Sequence, residues 1–209
     1  MNYWNDIYWK NNLNKNKLES LDFLKDIWVD KYSNIIDNIP KGKCLDLGCG
    51  LGQYTKYFKD KGFDVISCDI SEIVLETLSN IMPDAKIKKL DMSQDFPFSD
   101  DSFDLIVANL SIHYFDYKTT KKLLSEIKRV LKNDGYFIGS VNSDKTFTFL
   151  VEPQKIEENY YKELDRFVRL WNKEQFDDFF KDFKKILLEE VTTTRWDKIK
   201  IMWEFIYKL

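Results

Sequence analysis

The chain has 209 residues, 44% of them hydrophobic and 32% charged, which suits one domain with a sizeable core. That balance excludes low-hydrophobicity disorder as a global description. A formal net charge of −3 argues against broad electrostatic capture of nucleic acid, because phosphate binding demands a basic face.

The first ten residues, MNYWNDIYWK, lack the apolar run and small-residue cleavage pattern of a secretory signal. No window nears the ~18 consecutive apolar residues of a membrane-crossing helix. A cytoplasmic protein with no membrane partner is expected. Apolar residues at three- and four-residue intervals over 18–39 predict a long amphipathic helix, halted by Pro40 and Gly42. The rhythm then changes. Residues 43–47 form a short buried strand that runs into Gly48-Cys49-Gly50-Leu51-Gly52, followed by a helix over 53–61 with Gly62 as its stop. A second strand over 63–68 ends at Asp69, and Ser71 caps a helix over 72–81 that Met82-Pro83 ends. A third strand, 85–90, ends at Asp91, and a fourth, 103–108, ends at Asn109. A helix over 117–132 and a fifth strand over 136–141 follow. Residues 144–170, rich in Phe, Tyr, Glu and Lys, are expected to cap the binding edge. Asn172 caps a helix over 173–182, and strands over 184–194 and 198–207 make a hairpin around Asp197. The basic and aromatic residues of 198–203 alternate with period two, which reads as a strand rather than as a nucleic-acid contact.

Strands and helices alternating through short connections predict an α/β fold, a doubly wound, mostly parallel sheet of seven strands with a C-terminal antiparallel hairpin and helices on both faces. One domain over 1–209 is expected: an N-terminal helical cap (1–39), a cofactor-binding core (40–142), a substrate cap (144–170) and a closing helix and hairpin (171–209). Such sheets bind ligands at the carboxyl ends of their strands. Asp46, Asp69, Asp91 and Asn109 stand near those ends, one β–α unit apart. The three cysteines, Cys44, Cys49 and Cys68, show no C-x-x-C spacing and have only His113 to join, so they read as reduced thiols and no metal is expected.

A strand, a glycine loop and a helix together offer free backbone N–H groups and a positive helix end to an anionic group. The dinucleotide fingerprint, with glycines at its first, third and sixth positions, fails here: Gln53 is sixth from Gly48 and Thr55 sixth from Gly50. The run Asp46-x-Gly48-x-Gly50-x-Gly52 instead closely resembles the first motif of class I S-adenosylmethionine-dependent methyltransferases, small-molecule type. Asp69 after strand two, Asp91-Met92 after strand three, and Asp104 to Asn109 at strand four extend the resemblance, which covers roughly residues 40–142. The turn 131–136 lacks the proline and second glycine often found there, at a place remote from the ligand edge.

The resemblance implies S-adenosyl-L-methionine as cofactor and S-adenosyl-L-homocysteine as product. Gly48, Cys49, Gly50 and Gly52 would approach the methionine end, with Asp46 orienting the loop and attracting the ammonium group. Asp69 would accept from both ribose hydroxyls. Asp91 would accept from the adenine amino group, with the Met92 backbone on a ring nitrogen and Ile70 flanking the ring. The Asn109 carbonyl, followed by Leu110, would face the ammonium group. His113 is a candidate base or substrate-orienting group, or a histidine held between loop and helix. Tyr114 reads as a pocket wall or a helix entry, and the pairs Tyr3-Trp4 and Tyr8-Trp9 either resemble the aromatic leader that closes over the cofactor or serve as a hydrophobic staple for the first long helix. Within the cap, Phe147, Phe149, Tyr160, Tyr161 and Phe167 offer apolar walls, and Glu157, Glu158, Arg166 and Arg169 offer orienting charges. The expected activity is methyl transfer to a small-molecule acceptor by in-line displacement, in a monomer or homodimer. A non-catalytic cofactor-binding partner subunit and a nicotinamide-dependent oxidoreductase are the alternatives.

Overall fold

The computed structural model describes residues 8–10, 13, 27–195 and 198–209. Strands β1 (Lys43–Leu47), β2 (Asp64–Asp69), β3 (Lys86–Lys89), β4 (Phe103–Asn109) and β5 (Leu131–Asn142) are parallel, in the order β3-β2-β1-β4-β5. The hairpin β9 (Lys184–Arg195) and β10 (Lys198–Lys208) completes a seven-stranded sheet, with β10 antiparallel to both β5 and β9. Residues 196–197, with the expected turn residue Asp197, lie outside the described part.

Near-continuous apolar runs in β1 and β4 suit strands covered on both faces, and the helices provide that cover. On one face α1 (Ser33–Ile36) and α2 (Gln53–Asp60) bring Ile36 and Phe58 onto Leu105, Val107, Ile138 and Ile206. On the other, α4 (Tyr117–Val130) and α5 (Lys173–Phe179) pack Leu123, Ile127 and Phe176 against Leu45, Ile106, Phe137 and Phe205. Helix α3 (Glu72–Ile81) sets Leu75 and Leu78 beside Cys49 of the glycine loop. Strand order reverses between β1 and β4, so a crevice opens at their carboxyl ends.

Three expectations need correction. The helix over 18–39 is not continuous: Ile27 is extended, Trp28–Tyr32 is a 3-10 turn, and α1 stops at Ile36, while residues 18–26 lie outside the described part. Asn38 and Ile39 bond three residues back, and Pro40 pushes its predecessor out of the helical region. The apolar rhythm survives because Val29, Tyr32, Ile36 and Ile39 are still buried. Strand β5 starts at Leu131 rather than 136, since Leu131 already pairs with Phe103 across an irregularity in the ladder. Helix α5 ends at Phe179, short of 182.

Residues 144–170 fold as a 3-10 turn (Asp144–Phe149) and an antiparallel meander, β6 (Gln154–Glu157), β7 (Tyr160–Glu163) and β8 (Arg166–Arg169). Its two turns place Asn159 and Leu164 at positive φ. The meander is fastened to the loop after β4. Arg169, 1% exposed, donates to the Phe115 carbonyl (3.1 Å) and the Glu158 carbonyl (3.3 Å) and pairs with Glu157, which also accepts the Tyr117 N–H at 2.6 Å. Tyr160 Oη donates to the Tyr114 carbonyl at 3.2 Å.

Candidate active site

The site is built where β1, β2, β4 and β5 end. After β1 the chain turns through Gly48 and Gly50, at φ +72° and +52°, values that side chains rarely adopt. The Gly48 and Cys49 N–H groups both donate to the Cys68 carbonyl, at 2.8 and 2.9 Å, which ties the loop to the end of β2. A Cβ on Gly48 would stand 2.4 Å from Ser111 Cβ, so glycine there is a packing requirement. A Cβ on Gly50 would meet only the Trp9 indole, at 3.3 Å, so Trp9 lies against the loop's outer side.

Asp69 stands at the junction. It is 8% exposed and accepts the Gly50 N–H at 3.1 Å and the Ser71 N–H at 2.9 Å. Burial nevertheless holds its carboxyl above the usual carboxylate range. Two oxygens offer roughly four acceptor positions, and the Ser71, Gly50 and Ile70 N–H groups that lower its proton affinity are set against the burial that raises it. Asp46 lies beneath the loop, 1% exposed, accepting from Thr55 Oγ1 at 2.7 Å; the same hydroxyl is 2.7 Å from Ser67 Oγ. Burial pushes Asp46 up to about 7, so it supports the loop from below.

On the β3 side, Asp91 Oδ1 accepts the Ser93 N–H (2.9 Å) and hydroxyl (2.7 Å), and the Met92 side chain lies near Gly48. Ile70 is half-buried beside Asp69. On the β4 side, Asn109 Oδ1 accepts from Trp28 Nε1 at 2.9 Å and Ser140 Oγ at 2.6 Å, so the side chain is occupied within the protein. Leu110 turns at φ +52° and donates its N–H to the Ser140 carbonyl at 2.9 Å. Ser111 Oγ donates to the Leu47 carbonyl at 2.6 Å, locking this loop onto the glycine loop.

His113 is 2% exposed, with Nε2 3.4 Å from Asn142 Nδ2 and its ring 4.3 Å from that of Tyr114. Burial first, then Arg166 and Lys200 nearby, lower His113 to about 3, so the ring is neutral and weakly basic. That suits orienting a substrate better than removing its proton. Tyr3, Trp4 and the side chains of Phe147 and Phe149 lie outside the described part.

Trp28, Ser140 and Asn142, which surround Asn109 and His113, were not legible as neighbours of these residues in the sequence. Aligning β4 with β5 could have raised Ser140 and Asn142, and Ser111 stands two residues after Asn109, but Trp28 carries no such signal. A shallow depression of about 530 Å³, lined by Lys41, Asp64, Asp104 and Lys132, lies at the opposite, amino edge of the sheet. Its charges pair with one another and with their neighbours: Lys132 with Asp104 at 2.8 Å, Asp64 with Lys86 at 2.5 Å.

A glycine loop tied to an acidic strand end, at the switch point of a sheet closed by an antiparallel hairpin, defines a nucleoside-binding α/β enzyme class. A family model described as a methyltransferase domain matches residues 45–139, and the chain belongs to the class I S-adenosylmethionine-dependent methyltransferases. S-adenosyl-L-methionine is the cofactor, and a glycine loop tied to the Asp69 carboxylate at the end of β2 is chemically compatible with it. The chain is 31% identical to the protein MJ1123 of Methanocaldococcus jannaschii over 148 residues, 66% of this chain and 67% of that one. It is 32% identical over 124 residues, 57% of this chain and 35% of the other, to the human mitochondrial arginine-hydroxylase NDUFAF5. The crystal structure of a SAM-dependent methyltransferase from Methanosarcina mazei shares the fold, with a TM-score of 0.72 at 19% identity over 83% of this chain and 96% of that one. Among the described residues no helix is long and apolar enough to cross a membrane.

Proposed function

We propose that the protein transfers a methyl group to a small-molecule acceptor by in-line displacement. The observation that carries the reading is the junction of Gly50, at φ +52°, with Asp69, which accepts its N–H at 3.1 Å: a glycine loop and an acidic strand end held together at the point where the strand order reverses. S-adenosyl-L-methionine, when bound, supplies a methyl group already activated by its sulfonium. The chain's own part is to bind, align and exclude water. Gly48, Cys49, Gly50 and Gly52 hold the methionine end, with Asp46 keeping the loop in shape and the Asn109 carbonyl, beside Leu110, toward the ammonium group. Asp69 takes the ribose hydroxyls, with Ile70 against the ring. Asp91 and the Met92 backbone take the adenine edge.

Trp9 and the meander over 154–169 supply cover, and Tyr114 supplies a wall. The meander's attachment to Phe115, Tyr114 and Tyr117 sets it on the carboxyl edge, next to Asn109, which supports its reading as the substrate cap. A cap that interleaves aromatic and aliphatic side chains with four acids and four bases over 154–169, and so has no net basic face, favours a modest organic acceptor over a nucleic-acid strand. The buried free thiols Cys44, Cys49 and Cys68 are in keeping with a reducing cytoplasm. The test is release of S-adenosyl-L-homocysteine from the full chain with a metabolite library. Release that depends on one small acceptor is the expected result. Tight cofactor binding without release against any acceptor would instead establish a non-catalytic partner subunit.

A further inference from the structure

Two buried polar atoms beside the cofactor loop have no hydrogen-bonding partner among the described residues: His113 Nδ1 and Asn142 Oδ1. Buried polar groups are nearly always satisfied, so each orphan calls for an explanation. A third such atom, Trp171 Nε1, sits in the core among the rings of Phe176 and Phe179, 5.0 and 5.1 Å away, and belongs to packing. The first two belong together. Asn142 ends β5, two residues after the Ser140 that holds Asn109. His113 stands between Ser111, which grips the glycine loop, and Tyr114, whose carbonyl the meander's Tyr160 holds. The pair therefore lies between the cofactor loop and the cap.

Their other polar atoms face each other, Asn142 Nδ2 to His113 Nε2 at 3.4 Å. If the amide nitrogen donates to Nε2, the ring proton is on Nδ1, which leaves Nδ1 as an open donor and Oδ1 as an open acceptor. If the amide is turned over, Nε2 donates to the amide oxygen, Nδ1 becomes an open acceptor and the amide nitrogen an open donor. Both arrangements leave one donor and one acceptor. We propose that His113 and Asn142 read the methyl acceptor as an uncharged group that both gives and receives a hydrogen bond, a hydroxyl or an amide.

The surroundings narrow the choice the same way. Arg166, although paired with Glu163 at 2.6 Å, and Lys200 both act on His113 as positive neighbours, which gives an ammonium group no counter-charge there. A carboxylate is drawn by those cations but brings only acceptors, so the pair's own acceptor would stay unpaired and buried. The inference deepens the methyl-transfer reading and rests on it.

His113 is the only histidine in the chain, so its two ring nitrogens can be followed by NMR in uniformly ¹⁵N-labelled full-length protein. The probes are 2-pyridone, which carries an N–H beside a carbonyl, and toluene, of similar size with neither. With S-adenosyl-L-homocysteine bound, 2-pyridone should shift the His113 ring resonances saturably and toluene should leave them in place. Asn142→Leu should weaken 2-pyridone binding about tenfold, the loss of one hydrogen bond. No shift with 2-pyridone, or an equal shift with toluene, overturns the inference while calorimetric S-adenosyl-L-homocysteine binding leaves the methyltransferase reading standing. Failure to bind S-adenosyl-L-homocysteine overturns that reading and this inference with it.

Discussion

Replacing Gly50 by alanine separates what the glycine loop does for the fold from what it does for the ligand. At φ +52° an alanine is strained by roughly 1–2 kcal/mol. For a domain of this size that is a fall in Tm of about 2–8 °C. The new methyl group meets only the Trp9 indole, at 3.3 Å, so the fold should survive. It does, however, press on the ring that covers the loop, and the space between loop and cover is where the cofactor is proposed to lie. Overpacking of that kind costs about 1–3 kcal/mol, or roughly 5- to 150-fold in affinity. Gly62→Ala is the matched control: it carries the same kind of strain, at φ +90°, with nothing within 4 Å of its Cβ. Thermal melts and S-adenosyl-L-homocysteine calorimetry on both variants give the comparison. Similar losses of stability with affinity lost only in Gly50→Ala is the expected pattern. A Gly50→Ala protein that binds like wild type would refute the placement of the ligand on this loop.

Asp46→Asn should change the pH dependence of stability. Burial raises this carboxyl to about 7, so the native state keeps a proton that the unfolded chain releases near pH ~4; the stability so contributed is lost as pH rises from about 4 to 7, on the order of 4 kcal/mol at most. In urea melts the asparagine variant should therefore gain on wild type at pH 8 relative to pH 5, and an unchanged gap would contradict the burial argument. The His113 ring, held neutral at about 3, should show no protonation step between pH 5 and 8 by NMR; a midpoint near the ordinary 6.5 would mean that the ring is solvated. Arg169→Met removes the guanidinium that fastens the meander to Phe115 and Glu157, at a cost of about 2–4 kcal/mol. Limited proteolysis should then cut first within residues 150–170, and cleavage unchanged from wild type would show that the cap is held by other contacts.

The parallel core was legible because its signals are local. Apolar runs bounded by Asp69 and Asn109, Ser71 as a cap that accepts the Val74 N–H, and Asn172 in a capping box each announce an element without reference to the rest of the chain. The meander was not legible as strands. Its strands are four residues each, and its turns use Asn159 and Leu164 at positive φ with no glycine to mark them. Likewise the acidic strand ends could be ranked from spacing, but their separate tasks could not. Only the folded chain shows Asp46 spent on Thr55 under the loop while Asp69 takes the Gly50 and Ser71 N–H groups. Asn142 stayed hidden for the same reason, since its meaning depends on where His113 stands, 29 residues earlier.

The most direct test of the central claim is a calorimetric titration of the full chain with S-adenosyl-L-homocysteine beside NAD. The glycine spacing and the Gly50–Asp69 junction predict saturable one-to-one binding of S-adenosyl-L-homocysteine and no heat from NAD. Tight NAD binding with no response to S-adenosyl-L-homocysteine would contradict it.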